Sequence, residues 1–357
     1  MSGIFGLLGL SDTDRSFLNT VGQSVVYTAS QTLLQQYNAD LAQAMSIFVQ
    51  GTTTGFKERY KLPGGGRLQR RGGLAQSAAV KAYGSWDVAY PLEDFGAQLA
   101  ESDIAMSYMT MDEYNRHLDT IMLQDMNTVR YEMLKALFNS TAATFVDPIN
   151  GSLTIERLAN GDSVTYPPVL GSETEATDTH YLESGYAATA ISDTNNPYTT
   201  IRNELEEHFG VSTGGDNLAV LINPAETPQT EDLSDFDAVP DNFIRPGANV
   251  DIPQNLPSVP GRCIGRTNGV WVFEWRWMPA SYMFGIHLDA PAPLKMRVDP
   301  AETGLGTGLQ LVATDETYPL SSAHYRHRFG FGCGNRLNGV ALELGTGGTY
   351  TVPSSYS

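Results

Sequence analysis

The chain of 357 residues is long enough for two compact domains or for one domain with large excursions, and its 41% hydrophobic residues are enough to fill a core. A formal net charge of -18, from 40 acidic and 22 basic residues, disfavours non-specific binding to DNA or to an anionic membrane. Helix and strand patterns both occur, without the regular alternation of a parallel doubly wound sheet, so the sequence favours an α+β fold.

The two cysteines, Cys263 and Cys333, have no CxxC or Cys/His spacing. That usage is typical of a reducing compartment and argues against a disulfide framework or structural zinc. The apolar opening MSGIFGLLGL lacks a basic leader, so no export is predicted. Because no run of about 18 apolar residues occurs, we predict no membrane span and a soluble protein made inside the cell.

The first predicted element is helical and covers residues 14–49, where apolar residues recur near the helical period. Gly22 and the β-branched residues around Val25 weaken this pattern midway. The segment therefore predicts one interrupted helix or two shorter ones, with an apolar stripe that needs a partner surface.

Residues 52–92 predict a long hairpin, with two extended arms around the glycine-rich tip GGGRLQRRGG. A two-stranded hairpin alone in water is marginal, so we expect it to gain stability by docking onto an adjoining copy. Residues 57–81 hold seven basic residues against Glu58, a net charge of +6 that leaves -24 for the rest of the chain. The basic residues are Lys57, Arg59, Lys61, Arg67, Arg70, Arg71 and Lys81.

A basic hairpin on an acidic body predicts head-to-tail association between copies, because opposite potentials on two surfaces of one molecule attract each other. Heterologous contacts of this kind close into rings or continue into larger assemblies. The alternative is a flexible basic loop that has no partner or binds an anionic ligand. A phosphate-binding P-loop is excluded, since no GK[ST] follows Gly64–Gly66.

Thr110-Met111-Asp112-Glu113 has the form of a capping box and predicts the start of a helix. A helix from Thr110 to near Phe138 would be about 42 Å long, which makes it a spine for its domain. Its apolar residues share one face, which we predict to be the core side: Tyr114, Leu118, Ile121, Met122, Met126, Val129, Met133 and Leu137.

Short strands are predicted after the spine. Asn150-Gly151 and Asn160-Gly161 both predict turns, and the sequence around the second pair predicts a hairpin with a type I′ turn. A second domain is predicted from about Tyr181. It contains an amphipathic helix that opens at Asn196-Pro197 and a buried strand at residues 217–222.

Residues 262–288 predict strands joined by a turn at Thr267-Asn268-Gly269. Alternation would place four aromatic residues on one strand face: Trp271, Phe273, Trp275 and Trp277. We interpret them as a buried sheet face or a subunit interface, because a base-stacking platform needs a basic groove. Asn338-Gly339 predicts a further turn before the strand VALEL.

The sequence contains no recognisable catalytic or cofactor-binding pattern. There is no GxSxG elbow and no HExxH, and residues 304–309 depart from a dinucleotide fingerprint at Leu309. His324 and His327 lie three apart in a predicted strand, so they point to opposite faces. The acidic runs match no calcium-binding loop. We therefore expect no enzyme, no cofactor and no metal.

In chain order, the helical arm, basic hairpin, capped spine, small sheet, inserted α/β domain and returning strand resemble the HK97-fold major capsid proteins of tailed bacteriophages. The segments YPLEDFG and RHRFGFGCGNRLNGVALEL are also similar to segments of that family. The resemblance covers essentially the whole chain. It implies an HK97-like α+β fold with an N-terminal arm at 1–51, an E-loop at 52–92, a peripheral domain with the spine helix at 93–180, an axial domain at 181–310 and a return to the body at 311–357.

The resemblance implies a major capsid protein whose hexamers and pentamers form an icosahedral head around double-stranded DNA, assembled in the host cytoplasm and found in the virion. The basic residues of the E-loop would contact a neighbouring subunit. No charged coiled coil precedes the arm, so a separate scaffolding protein is expected, together with a portal. A decoration protein and covalent crosslinks stay open, with noncovalent closure as the default.

Other functions remain as alternatives. An encapsulin-like shell has the same fold and holds protein cargo, but its subunits are usually shorter, with a more modest arm. An enzyme of unrecognised type, a minor virion protein and an adhesin are further alternatives.

Overall fold

The computed structural model describes residues 17–18, 22–61, 68, 70, 73, 85–166, 177–209, 217–238, 259–315 and 320–357. The chain divides into two units, which are described separately. The first unit comprises the described parts of residues 1–43, 93–130 and 299–329, and the second those of residues 44–92, 131–298 and 330–357.

The helices begin where the sequence offers a cap, a proline or a glycine. They are α1 (Gln23–Met45), α2 (Asp103–Tyr108), α3 (Met111–Phe138), α4 (Pro197–Phe209) and α5 (Thr227–Glu231). Helix α1 begins after Gly22, whose φ of 94° suits glycine, at the predicted weak point of the arm. The capping box of α3 is confirmed: the Glu113 amide donates to Thr110 Oγ1 at 3.3 Å, and the Thr110 amide donates to the Glu113 carboxylate at 3.2 Å.

The first unit is built on antiparallel pairing with strand β15 (Leu320–Cys333). Residues 320–329 of this strand pair with β4 (Glu93–Ser102), and residues 322–326 also pair with β14 (Gln310–Asp315). Residues of the arm, the spine and these strands form one apolar core: Leu18, Val26, Leu34, Leu99, Tyr114, Leu118, Ile121, Ala323 and Tyr325. Within it, the hydroxyls of Ser30, Tyr114 and Tyr325 form a hydrogen-bonded chain with spacings of 2.9 and 3.0 Å.

The second unit contains a mixed sheet. Its strands are β7 (Tyr181–Glu183), β8 (Leu218–Ile222), β9 (Asp237–Ala238), β10 (Arg262–Thr267), β11 (Val270–Glu274), β12 (Tyr282–His287) and β16 (Val340–Glu343), in the order β7-β16-β12-β8-β11-β10-β9. Every residue of the central strand β8 is buried, as predicted. Helix α4 packs on this sheet through Ile201 and Leu205, and Gly285 permits the close approach because a Cβ there would clash with Ile201.

Four further strand pairings lie in the second unit. Strand β1 (Val49–Thr53) runs parallel to β13 (Leu294–Arg297), which pairs antiparallel with residues 330–333 of β15. Strand β2 (Lys57–Lys61) pairs with β3 (Ser85–Ala89), and β5 (Ala143–Asp147) pairs with β6 (Gly151–Ile155).

The hairpin predicted around Asn160-Gly161 is wrong. The hairpin in this region is β5–β6, which closes at Asn150-Gly151, and residues 156–166 contain no strand. Gly161 keeps a turn conformation, with φ of 69°, but the neighbouring carbonyls have another partner. The buried Arg336 guanidinium donates to the carbonyl oxygens of Arg157 and Leu158 at 2.7 and 3.1 Å, and so occupies acceptors that a strand ladder would use.

The predicted alternation of four aromatic residues on one strand is also wrong. Strand β11 ends at Glu274, and residues 275–277 turn, with the Met278 amide donating to the Trp275 carbonyl at 3.0 Å. The pairing strand β8 ends at Ile222, just before Asn223-Pro224, and the last hydrogen bond between the two strands runs from the Trp275 amide to the Ile222 carbonyl at 2.9 Å. Trp275 instead stacks on Phe48, with ring centroids 5.8 Å apart.

Both cysteines are free thiols, Cys333 buried and Cys263 partly exposed. Burial raises the pKa of Cys333 to about 12, which makes that thiol a poor nucleophile. In the part of the chain that the structure describes, no helix has the length and apolarity to cross a bilayer.

Candidate assembly interface

The hairpin predicted over residues 52–92 is present at its base. Strands β2 and β3 pair from Lys57 opposite Ala89 to Lys61 opposite Ser85, and we call these ten residues the hairpin base. Of the residues between the strands, only Leu68, Arg70 and Gly73 are described, and all three are exposed. Arg67, Arg71 and Lys81 lie outside the described residues.

Two of the three basic residues of the hairpin base, Lys57 and Arg59, are paired within the base itself. Lys57 Nζ lies 2.7 Å from the Asp87 carboxylate, and Arg59 donates two hydrogen bonds to the same group at 2.6 and 2.9 Å. Hydrogen bonds from Arg59 and Lys57 hold the pKa of Asp87 well below its usual range. The excess positive charge of the segment therefore belongs to residues 61–81, between the paired strands.

One face of the hairpin base is buried in its own unit. Trp86 and Val88 pack with Tyr90, Tyr166 and Leu337 in an apolar cluster, and Val88 is fully buried. The expectation that the hairpin gains its stability by docking onto an adjoining copy is therefore wrong for the base. The stabilising contacts come from residues far along the same chain, which a two-stranded pattern does not reveal.

Glu58 fixes the hairpin base to strand β13. Its carboxylate accepts hydrogen bonds from Lys295 Nζ at 2.8 Å, from Tyr60 at 2.7 Å and from Thr53 at 3.0 Å. Burial alone would raise the pKa of Glu58, but the hydrogen bonds from Lys295, Tyr60 and Thr53 outweigh it and lower the pKa to about 2.

Arg297, on the same side of β13 as Lys295, forms a second anchor. It is buried, and its Nη1 donates to the Tyr90 carbonyl at 2.9 Å and to Asp147 at 2.8 Å. Burial opposes ionisation of Asp147, but the amides of Asn150 and Ile149, with Arg297, lower its pKa to about 2. The alternation of Lys295 and Arg297 with apolar residues is visible in the sequence, but their partners are not.

Replacing Glu58 with glutamine is expected to flatten the acid dependence of stability. Because the folded pKa of about 2 lies below the usual 4.5, the contribution of Glu58 is complete above pH 4.5 and is lost as the pH falls toward 2. Allowing for partial exposure, we expect Glu58→Gln to cost about 2 kcal/mol at pH 7 and much less at pH 3.

Urea unfolding of the subunit at a series of pH values measures this effect. The matched control is Glu302→Gln, which removes the same charge from an exposed position. Parallel pH profiles for the wild type and Glu58→Gln would contradict the role assigned to this carboxylate.

The core side proposed for the spine helix lies inward. Six of its residues are buried: Tyr114, Leu118, Ile121, Val129, Met133 and Leu137. Met122 and Met126 are partly buried. The opposite side carries Leu123, which is 52% exposed. The helix thus presents an apolar residue to solvent that the sequence analysis did not single out.

The tip of the β5–β6 hairpin carries an exposed apolar pair that the sequence analysis missed. Val146 is 71% exposed and Ile149 is 91% exposed, although both are large aliphatic residues. Asp147 accepts the amides of Ile149 and Asn150, both at 2.9 Å, and so fixes the turn in shape. The sequence signal for this exposed pair was Ile149, which directly precedes the predicted Asn150-Gly151 turn.

Comparison with known proteins identifies the fold. Neither a protein family nor a curated protein matches the sequence. Among solved structures, the chain is similar to one from Mycobacterium phage Patience, with a TM-score of 0.70 and 18% identity over 99% of this chain and 98% of that one. It is also similar to a chain from the asymmetric unit of the bacteriophage PhiM1 mature capsid, with a TM-score of 0.50 and 10% identity over 81% and 82% of the two chains. The fold is HK97-like and α+β, as predicted.

Proposed function

We propose that the chain is a major capsid protein of a tailed bacteriophage, whose hexamers and pentamers close into an icosahedral head around double-stranded DNA. The observation that carries the proposal is the likeness of fold to the Patience chain over essentially the whole of both chains. A mature capsid is built from another chain of similar fold, that of PhiM1. The role is structural, and we propose no catalytic activity.

The segments take the following roles in this proposal. The arm at residues 1–51 and the E-loop at residues 52–92 tie neighbouring subunits together. The peripheral domain at 93–180 contains the spine, the axial domain at 181–310 meets its copies at capsomer centres, and residues 311–357 return to the body.

The charge distribution supports a contact between the E-loop and a neighbouring subunit. Lys57 and Arg59 are paired with Asp87, whereas Lys61 and Arg70 are exposed. Together with Arg67, Arg71 and Lys81, they give the E-loop a positive charge to set against the acidic remainder of an adjoining copy. Because the hairpin base is anchored in its own unit, the E-loop leaves the subunit from a fixed position.

The same acidic remainder suits a container for DNA. Outside residues 57–81 the chain carries a net charge of -24, which repels the phosphate backbone and limits adhesion of packaged DNA to the wall. We propose assembly in the host cytoplasm with a separate scaffolding protein and a portal. A decoration protein remains an alternative, and so does an encapsulin-like shell with protein cargo.

Sedimentation velocity of the purified chain tests the proposal. The chain is expressed alone and together with the proteins encoded beside its gene, and we expect megadalton particles in at least one of these preparations. Nuclease-protected DNA inside the particles supports a phage head, whereas protein cargo without DNA supports the encapsulin-like alternative. A monomer in every preparation contradicts both.

A further inference from the structure

Three metal-ligating side chains meet in the second unit, where the chain enters strand β7 and passes through helix α4. They are Asp178, His180 and Glu204, and one ligand atom from each lies within 4.8 Å of the others. The sequence analysis expected no metal, because it searched for local ligand spacings and Glu204 lies on a different element. Asp178 and His180, two apart, are the only local trace of the group.

His180 is held in one orientation by contacts outside this group. Its side chain is fully buried, its amide donates to the Ala159 carbonyl at 2.7 Å, and its own carbonyl accepts the Ala341 amide at 2.9 Å. The ring Nδ1 lies 2.9 Å from the Gly339 carbonyl oxygen. A carbonyl oxygen only accepts hydrogen bonds, so Nδ1 bears a proton and Nε2 points toward the two carboxylates.

This orientation directs Nε2 at the Asp178 carboxylate. The atom lies 3.0 Å from the Asp178 carboxylate, and a neutral imidazole would present its lone pair to a negatively charged oxygen. A metal ion bound between the two atoms removes that repulsion. With Glu204, the group places two carboxylates beside a fully buried ring, an environment that favours a bound cation.

We propose that His180 Nε2 and the carboxylates of Asp178 and Glu204 bind a divalent transition metal ion, with Zn²⁺ as the representative case. Imidazole with carboxylates suits Zn²⁺, whereas Ca²⁺ and Mg²⁺ prefer oxygen ligands alone. Zinc bonds of about 2.1 Å place tetrahedral ligands about 3.4 Å apart, and the three ligand atoms here lie within 4.8 Å of one another, so a small contraction of the group would complete the site. The Nδ1 hydrogen bond to a carbonyl is the usual support of a ligating histidine.

The ion would fasten a helix to the edge of a sheet. Strand β7 is at the end of the strand order and pairs with β16, while α4 covers β12 and β16. An ion bound by residues from both sides therefore stabilises the folded second unit, because the unfolded chain does not bring these ligands together. This role does not depend on shell assembly.

Metal binding by the purified full chain tests the proposal after dialysis against EDTA. We expect one Zn²⁺ per chain by mass spectrometry of the metal content and a rise of several degrees in the melting temperature. Mg²⁺ and Ca²⁺ at the same concentration should not reproduce the rise. Cobalt(II) is the spectroscopic probe, with absorption bands that report ligation by the protein.

Glu204→Gln is expected to weaken zinc binding at least 100-fold and to remove the cobalt bands, since losing even a supporting residue costs about 10–100-fold. Asp178→Asn provides the same test if Glu204→Gln does not fold. The control Glu206→Gln removes an equal charge from the same helix and should bind like the wild type. No binding at about 1 mM zinc, or equal binding by Glu204→Gln and the wild type, overturns the proposal.

Discussion

Replacing Arg67, Arg70 and Arg71 together with glutamate is expected to abolish closed shells while leaving the subunit folded. The substitution changes the net charge of residues 57–81 from +6 to zero. If the E-loop lies on the acidic surface of an adjoining copy, attraction then becomes repulsion at the point of contact. We expect shell yield to fall at least tenfold.

The subunit should survive this change because the hairpin base is anchored independently. Glu58 and Lys295 form an ion pair of 2.8 Å, Arg297 binds the Tyr90 carbonyl, and Val88 lies in a buried cluster with Tyr166 and Leu337. Circular dichroism should therefore show an unchanged melting transition of the unassembled subunit.

The matched control replaces the same three residues with lysine, which keeps the charge and removes the planar guanidinium groups. Sedimentation should show shells for the lysine variant and free subunits for the glutamate variant. Wild-type yields from the glutamate variant would mean that the basic E-loop takes no part in assembly.

Replacing Arg336 with methionine is expected to destabilise the second unit by about 3–5 kcal/mol. The guanidinium is fully buried, donates to the carbonyl oxygens of Arg157 and Leu158, and lies 2.6 Å from the Asp162 carboxylate. Methionine fills much of the volume but leaves these acceptors without their donor. A buried carbonyl that loses its donor costs more than the hydrogen bond itself contributes.

Denaturant titration of the unassembled subunit measures this loss as a fall in the unfolding midpoint. Arg336→Lys should recover little of the lost stability, because an ammonium group cannot reproduce the several N–H donors of the planar guanidinium. Arg262→Met is the control, since that side chain is 71% exposed and should change the stability by less than about 0.5 kcal/mol. An unchanged midpoint for Arg336→Met would show that the 156–166 segment holds its shape without the arginine.

Local signals in the sequence were reliable where the structure depends on neighbouring residues. The capping box at Thr110, the Asn268-Gly269 turn and the buried strand β8 all occur as predicted. Each is determined by hydrogen bonding or backbone geometry within a few positions, which a pattern of residue types records directly.

Distant partners could not be predicted in the same way. Glu58 and Lys295 are 237 positions apart, and Arg336 reaches carbonyls about 180 positions earlier. The sequence around either partner contains no pattern that predicts the other partner. The Asn160-Gly161 hairpin and the four-residue aromatic face failed for this reason, because tertiary contacts outweighed the local pattern.

In the candidate site, too, local features could be predicted from the sequence and distant partners could not. The basic residues of the hairpin were evident from composition, but the pairing of Lys57 and Arg59 with Asp87 was not. The Asp178, His180 and Glu204 group appears only when an extended segment and a helix meet in the folded chain. The fold was predicted by resemblance to a family in the order of the elements, and the solved structures confirm the fold.

The most direct measurement is a cryo-electron microscopy reconstruction of particles formed by the chain. Our account predicts closed icosahedral shells of hexamers and pentamers, in which residues 61–81 of each subunit lie against an adjoining subunit. Particles in which every hairpin folds back onto its own subunit would contradict it, and so would a chain that stays a free subunit with all its neighbouring gene products present.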